Sequence, residues 1–504
     1  MTNYLDILSE TIRKNWDQPA LTDFYLTEDG TAQDTSRGNH YTYGEMYAEI
    51  VRIADLLTNL GLQKGDHIAI CGVNSAHWVI AYLAIAKMQG VSVTVMHSLQ
   101  PNEIAQMIDF SDAKALFVDT DLWDELRGQS LPQVESVIAL DNWDVLRGEI
   151  IINHQSSIIN EGCRFPHSEP DSLAMICFTS SSAGNPKGVM LSNMNVSNNA
   201  RNGSNSYPNK SGNNNYLSII PLAHVLGLYG DLLGQLLNGR HIHFLLHISI
   251  LSINRSIKEI LPFAMNLTPT ILYGLLSIHE ENTDWLKPFE QIYVGGASID
   301  KSIESLFLKN NIKLSSGYGL TETGPISWAI GNNSRQGTCG KIVEGMTCRI
   351  SPNGEILVKG ENVMLGYYKD PEATAQKIDK DGWLHTGDKG HLDEDGYLYV
   401  EGRLEQDMIV LPNGENIRPE NIERLIDALP EVSESIVLAR NGHLVALVVP
   451  KSPLALGEGK GVRLSVLRAV NPQLPLFSQL YDVEITDVPL QRTEKQTLKR
   501  YLYK

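Results

Sequence analysis

The first 120 residues alternate between short apolar segments typical of buried strands and longer segments typical of helices. The apolar segments cover residues 67–73 (HIAICGV), 91–96 (VSVTVM) and 113–119 (AKALFVD), and helical patterns lie between them over 75–89 and 101–110. Strands that alternate with helices are joined by crossover connections, so this pattern predicts a parallel sheet. Ligands bind such sheets beyond the carboxyl ends of the strands, and we expect the functional site there.

The alternating pattern resumes in the middle of the chain and later gives way to shorter elements. Apolar segments read MICFTS, LSII, IYVGGAS and KLSSGYGL, and Ser, Thr and Gly follow several of them directly. After about residue 340, short strands alternate with turn signals such as SPNGE and DEDGY. Beyond Arg403, a helix over 419–429 and the strands ESIVLAR and LVALVVP indicate a separate small α+β unit.

These patterns predict an α/β fold with a large N-terminal lobe of α/β subdomains plus a β-rich subdomain, followed by a small α+β C-terminal domain. We place the boundary at Arg403, which divides the chain into residues 1–402 and 403–504. Residues 193–215 contain ten asparagines and few apolar side chains, and their composition predicts a solvated surface loop.

Charge and cysteine content narrow the class of protein. With 41 Lys+Arg and 59 Asp+Glu the formal net charge is 41 − 59 = −18, which disfavours binding to nucleic acid or to an anionic membrane surface. The five cysteines form no CxxC pair, so a disulfide framework or a zinc site is disfavoured. The first residues lack a signal-peptide pattern, and the apolar stretch 217–237 is interrupted by Asp, Pro and Gly. We therefore expect a soluble, cytoplasmic protein without a transmembrane segment.

Residues 178–189, FTSSSAGNPKGV, have the composition of a phosphate-binding loop. The segment follows a predicted strand and combines hydroxyl groups, two glycines and one lysine. Hydroxyls and backbone N–H groups bind phosphate oxygens, and a lysine adds positive charge. The segment is not a Walker A loop, because Lys187 is followed by Gly188 rather than by Ser or Thr.

The same segment resembles the phosphate loop of the adenylate-forming superfamily, which includes acyl-CoA synthetases, firefly luciferases and the adenylation domains of peptide synthetases. The family loop reads T-S-G-[ST]-T-G-x-P-K-G, and this chain departs from it at Ser181 and Ala183. The departures remove one flexible glycine and one hydroxyl contact to phosphate. The residues that the resemblance implies as phosphate ligands are Thr179, Ser180, Ser182, Gly184 and Lys187.

Residues 317–323, GYGLTET, resemble the family signature Y-G-x-T-E. The resemblance implies that the ring of Tyr318 covers adenine next to Gly319. It further implies that Thr321 contacts phosphate and that Glu322 holds Mg²⁺. A carboxylate at a strand end also suits Mg²⁺ on chemical grounds, because this ion takes few carboxylates together with phosphate oxygens.

Three further segments resemble the parts of the family site that bind the nucleoside. Gly296 and Ala297, after the strand IYV, resemble the adenine-side loop, in which small residues let the base lie against the backbone. Residues 382–388, GWLHTGD, resemble the element whose aspartate binds the ribose hydroxyls, which implies this role for Asp388. Arg403 matches an arginine that also reaches the ribose.

In this superfamily the small C-terminal domain is mobile, and the resemblance implies the same here. Asp407 is the predicted hinge residue. Residues 411–423, LPNGENIRPENIE, resemble the hairpin that swings in to form a thiol tunnel, which implies this role for Gly414 and Glu415.

Two catalytic side chains have alternative assignments in the sequence. The family's terminal lysine has no direct counterpart, since Gln496 and Thr497 occupy the positions of its Gly-Lys pair. Lys495 is therefore predicted to take that role, with Lys499 as the alternative. His224, in a P-L-x-H segment, resembles a histidine beside the acyl pocket, and both an orienting role and a purely structural role remain open.

The resemblance implies a ligase that joins a carboxylic acid, a fatty acid in our prediction, to coenzyme A through an acyl adenylate with release of pyrophosphate. ATP, Mg²⁺ and coenzyme A are the expected cofactors and co-substrates. Two alternatives remain: an acyl- or aryl-AMP ligase that loads a carrier protein, and a nucleotide-binding relative without turnover. The expected partners are a small carboxylic acid and coenzyme A or a carrier protein, without nucleic acid, and a homodimer is left open.

Overall fold

The computed structural model describes residues 3–25, 38–149, 162–179, 187–207, 212–279, 282–295, 301–310, 312–329, 335, 337–404, 409–412, 415–451, 459–491 and 502–503. These residues form two compact units, one that extends to Gly402 and one that starts at Arg403. Among them, none of the helices has both the length and the apolar character that a membrane span requires.

The first unit is built from short, mostly buried strands. They are β1 (Pro19–Phe24), β2 (His40–Thr42), β3 (His67–Cys71), β4 (Val91–Thr94), β5 (Ala115–Val118), β6 (Ser136–Ala139), β7 (Val145–Arg147), β8 (Leu173–Phe178), β9 (Gly188–Ser192), β10 (Asn215–Ser218), β11 (His241–Leu245), β12 (Ala264–Leu267), β13 (Gln291–Val294), β14 (Lys313–Leu320), β15 (Gly324–Trp328), β16 (Lys341–Ile342), β17 (Met346–Ile350), β18 (Glu355–Gly360), β19 (Gly366–Tyr367), β20 (Leu384–Leu392) and β21 (Leu398–Arg403).

In the described part of the chain these strands form three sheets. One has nine strands in the order β16-β15-β14-β13-β12-β10-β11-β1-β2, one has eight in the order β19-β9-β8-β4-β3-β5-β6-β7, and one has four in the order β17-β18-β20-β21. The central strands of both large sheets are parallel, as in the pairs β3 with β4 and β12 with β13, and antiparallel strands flank them on both sides. The α/β fold predicted from the alternating pattern is confirmed.

Helices connect the parallel strands. They are α1 (Tyr4–Lys14), α2 (Tyr43–Asn59), α3 (Ala76–Lys87), α4 (Pro101–Phe110), α5 (Thr120–Leu126), α6 (Asn193–Asn205), α7 (Gly234–Leu237), α8 (Ile250–Ile260), α9 (Pro269–His279), α10 (Lys301–Lys309) and α11 (Pro371–Lys377). A π-helical stretch, Gly227–Leu233, runs directly into α7.

Helix α2 shows how local sequence sets these elements. Thr42 accepts a hydrogen bond from the Glu45 N–H while the Glu45 side chain accepts one from the Thr42 N–H, which is a capping box. Met46 and Ile50 lie on the fully buried face. Gly61, with φ +87°, follows the helix in the left-handed conformation that glycine tolerates best.

Residues 193–205 form helix α6, so the solvated loop predicted there is wrong. Most of its asparagines are buried, and several of their side-chain amides donate hydrogen bonds to backbone carbonyls in remote loops. Asn195 donates to the carbonyls of Glu361 and Val363 at 2.6 and 3.0 Å, and Asn202 donates to the carbonyl of Glu344 at 3.2 Å. Composition alone could not distinguish amides that face water from amides that face backbone carbonyls.

The second unit has its own core. Its strands are β22 (Ile409–Val410), β23 (Asn416–Ile417), β24 (Val432–Arg440), β25 (His443–Pro450) and β26 (Leu480–Ile485), and its helices are α12 (Pro419–Asp427) and α13 (Gly459–Val470). Strands β22 and β23 pair as a hairpin, and β24, β25 and β26 form a sheet. Helix α12 contacts β24 and buries Ile422 and Ile426, which agrees with the helix predicted over 419–429.

Candidate active site

The predicted phosphate loop connects β8 and β9, which pair in antiparallel fashion. Phe178 lies opposite Gly188, and the N–H of Thr179 donates a hydrogen bond to the carbonyl of Lys187 at 3.1 Å. The two ends of the loop are thereby fixed next to each other, where β8 ends and β9 begins. The remaining predicted phosphate ligands lie outside the described residues: Ser180, Ser182 and Gly184.

Lys187 and Glu322 flank one tyrosine. The Nζ atom of Lys187 lies 4.8 Å from the centroid of the Tyr367 ring, and the Tyr367 hydroxyl donates a hydrogen bond to Oε1 of Glu322 at 2.6 Å. Glu322 is buried. An aromatic face attracts a cation through its quadrupole. Tyr367 therefore stabilises the lysine with its ring and the carboxylate with its hydroxyl.

Tyr367 is not among the residues predicted from the sequence. It reaches the site because β19 pairs with β9, which places Tyr367 opposite Val189. Burial and the charge of Glu322 raise the pKa of the Tyr367 hydroxyl, which keeps its proton and acts as a donor. The pairing joins distant parts of the chain, and the local sequence Gly366-Tyr-Tyr carries no other signal for it.

Tyr318 and Asp388 are joined by a hydrogen bond. The Tyr318 hydroxyl donates to Oδ2 of Asp388 at 2.5 Å, and Asp388 is buried. Gly319 must be glycine, because a Cβ atom there would lie 2.3 Å from the carbonyl oxygen of Gly324. The structure thus brings together the residues that the sequence predicts for adenine and for ribose.

Glu355 holds the strand that carries Asp388. The pairing of β18 with β20 shifts register next to Glu355. Its buried carboxylate accepts hydrogen bonds from the N–H of Gly387 and from Nδ1 of His385, both at 3.0 Å. Sequence reasoning missed Glu355, since only the pairing of β18 with β20 brings it next to the GWLHTGD segment.

Thr321 and Glu322 lie in the turn between β14 and β15. The N–H of Met364 donates to the Glu322 carbonyl at 2.9 Å. The buried Thr323 hydroxyl donates to the Gly324 carbonyl at 2.8 Å. These two hydrogen bonds fix the backbone of the turn. The side chain of Thr321 is partly exposed.

His224 lies in a turn that abuts Gly295. Its Nδ1 accepts a hydrogen bond from the Leu226 N–H at 3.1 Å, so a neutral ring carries its proton on Nε2. A Cβ atom added to Gly295 would lie 2.9 Å from the side chain of Leu226. The ring is exposed, and desolvation by the surrounding atoms lowers its pKa. The neighbouring predicted residues Gly296 and Ala297 lie outside the described residues.

Several predicted residues belong to the C-terminal part of the chain. Arg403 is the last residue of β21. Glu415 lies in the turn between β22 and β23, where its carbonyl accepts a hydrogen bond from the Leu411 N–H at 2.9 Å. The others lie outside the described residues: Asp407, Gly414, Lys495 and Lys499.

Glu322 offers one carboxylate for a metal ion. Within the described ranges, no group of three or more His, Cys, Asp or Glu side chains could bind a metal. Mg²⁺ that accompanies a nucleotide takes most of its ligands from phosphate and water and needs only one or two carboxylates. A single carboxylate, that of Glu322, therefore fits a Mg²⁺ ion that binds together with a nucleotide.

Known proteins resemble this chain over nearly its full length. The family described as AMP-binding enzyme matches residues 8–368, and the AMP-binding enzyme C-terminal domain matches residues 406–503. The chain is 29% identical to a methyl-dioxo-octahydroindenyl propanoyl:CoA ligase of Rhodococcus jostii, over 88% of this chain and 90% of that protein. It is 27% identical to 4-coumarate–CoA ligase 4 of Arabidopsis thaliana, over 90% of this chain and 84% of that protein.

The fold also matches solved structures. The o-succinylbenzoate CoA synthetase of Bacillus subtilis aligns with a TM-score of 0.77 at 23% identity, covering 100% of this chain and 99% of that chain. At this identity the likeness shows only that the fold is shared. The family membership rests on the family match, which spans more than two thirds of the sequence. The motifs at Lys187, Tyr318 and Asp388 lead to the same conclusion: the chain belongs to the family of AMP-binding enzymes.

Proposed function

We propose that this enzyme is an ATP-dependent carboxylic acid–CoA ligase that forms an acyl adenylate, releases pyrophosphate and transfers the acyl group to coenzyme A. The proposal rests on the placement of Lys187 and Glu322 on the ring and the hydroxyl of Tyr367. This arrangement offers one cation to phosphate oxygens and one carboxylate to Mg²⁺. The relatives that are named CoA ligases support a thiol acceptor.

We propose a carboxylic acid with an apolar tail as the acyl donor. A fatty acid is the prediction from the sequence. The names of the relatives instead indicate coumarate and a propanoate on a fused ring. All of these acids share a carboxylate on an apolar body, so the test includes each type.

The first step requires alignment and charge neutralisation rather than a protein nucleophile. A carboxylate oxygen bonds to the α-phosphorus of ATP, and the bond from that phosphorus to the bridging oxygen breaks. Pyrophosphate leaves with the electron pair. We assign Lys187 to the phosphate charge, and Tyr318 with Asp388 to the nucleoside.

Glu322 would hold Mg²⁺, with Thr321 beside the phosphates. When bound, the ion neutralises charge on the pyrophosphate leaving group. Tyr367 fixes one oxygen of the Glu322 carboxylate in advance, which lowers the rearrangement needed when nucleotide and metal arrive.

We assign His224 to the acid. A neutral imidazole with its proton on Nε2 can donate a hydrogen bond to a carboxylate oxygen. The turn that carries His224 contacts Gly295, next to the predicted adenine-side loop, so the acid would lie beside the nucleotide.

In the second step, the thiol of coenzyme A attacks the carbonyl carbon of the acyl adenylate, and AMP leaves. By resemblance we assign Asp407 to the hinge and Gly414 and Glu415 to the thiol path. Arg403 is assigned to the ribose on the same basis.

The proposal is tested by measuring pyrophosphate release with ATP, Mg²⁺ and a panel of fatty, hydroxycinnamic and fused-ring acids, with and without coenzyme A. We expect release that depends on one class of acid and a thioester product only with coenzyme A. Adenylate that stays bound until a carrier protein is added would favour the carrier-loading alternative. A lack of pyrophosphate with every acid would favour the relative without turnover.

Three narrower expectations stay predictions: the fatty acid substrate, the cytoplasmic location and the homodimer. Competition between fatty acids and other acids tests the substrate. Cell fractionation tests the location, and light scattering tests the homodimer.

A further inference from the structure

The turn that carries His224 lies between the two large sheets. It starts after β10, in the nine-stranded sheet, and passes through Ile220 and Leu222 before it reaches His224. The groups that fix this backbone come largely from the carboxyl ends of the eight-stranded sheet.

Asn74, which follows β3, makes two hydrogen bonds to the turn. Its Nδ2 donates to the carbonyl of Ile220 at 2.7 Å, and its Oδ1 accepts from the N–H of Leu222 at 2.8 Å. The side chain is buried. One planar amide thus satisfies two backbone groups two residues apart, as a neighbouring β-strand would.

Two more side chains hold the same turn. Thr94, the last residue of β4, donates from Oγ1 to the carbonyl of Ala223 at 3.2 Å. Asp231, in the π-helical stretch, accepts the N–H of Ile220 on Oδ2 at 3.3 Å. Each residue from Ile220 to Ala223 except Pro221 therefore has a side-chain partner from a distant part of the chain.

We propose that Asn74 is a positioning residue for the carboxylic acid substrate, because it fixes the turn that carries His224. This inference rests on the proposed function and extends it to a residue that does not itself touch substrate. Asn is required by its chemistry: Ala leaves the Leu222 N–H and the Ile220 carbonyl without a partner, and ionised Asp cannot donate to the carbonyl.

The kinetic test uses Asn74→Ala and, to avoid a cavity, Asn74→Asp. Both variants should raise the KM for the acid about 10-fold and leave the KM for ATP within about twofold. The matched control is Asn195→Ala, which likewise removes a buried amide that bonds two backbone groups, here two carbonyls, but lies in α6. The control should not raise the KM for the acid selectively.

Hydrogen–deuterium exchange tests the same idea without catalysis. In the ligand-free enzyme, Asn74→Ala should speed exchange at Leu222 and its neighbours at least about 10-fold, while Asn195→Ala should not. If wild type releases no pyrophosphate with any acid, the proposed function fails, and exchange alone decides whether Asn74 holds the turn. Unchanged exchange in this turn, or equal rises of both KM values in an active enzyme, would overturn the inference.

Discussion

The Tyr318 hydroxyl donates a hydrogen bond to Oδ2 of Asp388 at 2.5 Å, so the predicted ribose carboxylate already has a partner before nucleotide binds. A ribose hydroxyl that bonds this oxygen would share it with the tyrosine, because a carboxylate oxygen can accept more than one hydrogen bond. The ring of Tyr318 and its hydroxyl therefore have separate effects on nucleotide affinity.

We expect Asp388→Asn to weaken AMP binding about 10-fold, because hydrogen bonds to a charged acceptor contribute more than neutral ones. Tyr318→Phe keeps the ring and frees the carboxylate, and it should change the AMP affinity by less than about 3-fold. Isothermal titration calorimetry with AMP measures both. Equal losses in the two variants would show that the hydroxyl itself is needed for binding.

Tyr367→Phe should raise the Mg²⁺ concentration for half-maximal binding of a non-hydrolysable ATP analogue about 5-fold, because Glu322 loses the donor that holds it. Binding of AMP without Mg²⁺ should not change. Tyr368→Phe is the matched control, since its hydroxyl donates to Asp112 at 2.7 Å. A similar Mg²⁺ shift in the control would rule out the proposed role of Tyr367.

Lys187→Met should slow acid-dependent exchange between ATP and pyrophosphate about 100-fold, since a cation at the phosphates acts mainly in the transition state. Lys369→Met is the control, because Lys369 also lies near aromatic rings but pairs with Asp112 at 2.8 Å. Its exchange rate should stay within about twofold of wild type. If both variants lose the same activity, net charge rather than position explains the effect.

The terminal lysines are tested by separating the two half-reactions. Lys495→Ala should slow adenylation far more than thioester formation from supplied acyl adenylate. If adenylation is unchanged in this variant and falls in Lys499→Ala, the role belongs to Lys499.

The buried Asp231 should make stability depend on pH. Burial is the main cause that raises its pKa to about 7, although Tyr216 and Asn266 donate hydrogen bonds to it at 3.0 and 2.5 Å. The folded state thus holds this proton more tightly than the unfolded state. The resulting stabilisation is complete at acid pH and is lost as the pH rises through 7.

In the Asp231→Asn variant this position cannot ionise, so the unfolding free energy of the variant relative to wild type should rise by about 3 kcal/mol between pH 5 and 8. Denaturation at several pH values measures the difference, in which titrations common to both proteins cancel. A difference that is constant with pH would show that Asp231 ionises normally.

The elements that the sequence predicts well are those set by local pattern. Strands β3, β4 and β5 follow from their apolar segments, and the motif around Tyr318 follows from contiguous residues. Lys187, Glu322 and Asp388 are predicted for the nucleotide site because the contiguous motifs around them resemble those of a known family, and their roles stay predictions.

The features that the sequence does not predict depend on long-range pairing. Tyr367 reaches the site because β19 pairs with β9, and Glu355 reaches it because β18 pairs with β20. Asn74 contacts the turn of His224 only because the chain folds the two large sheets together. The composition of helix α6 predicts a loop, because the sequence does not show that the partners of its amides lie more than 100 residues away. Supporting groups of this kind need the folded chain to be identified.

Strand β19 also affects solubility, because it lies at one edge of the eight-stranded sheet. It is the outermost strand next to β9, and it is only two residues long. Exposed sheet edges can pair with other molecules and start aggregation, and a very short edge strand limits this. The residues that bring Tyr367 to the site thus also close this edge, so a variant that detaches β19 should lose solubility together with activity.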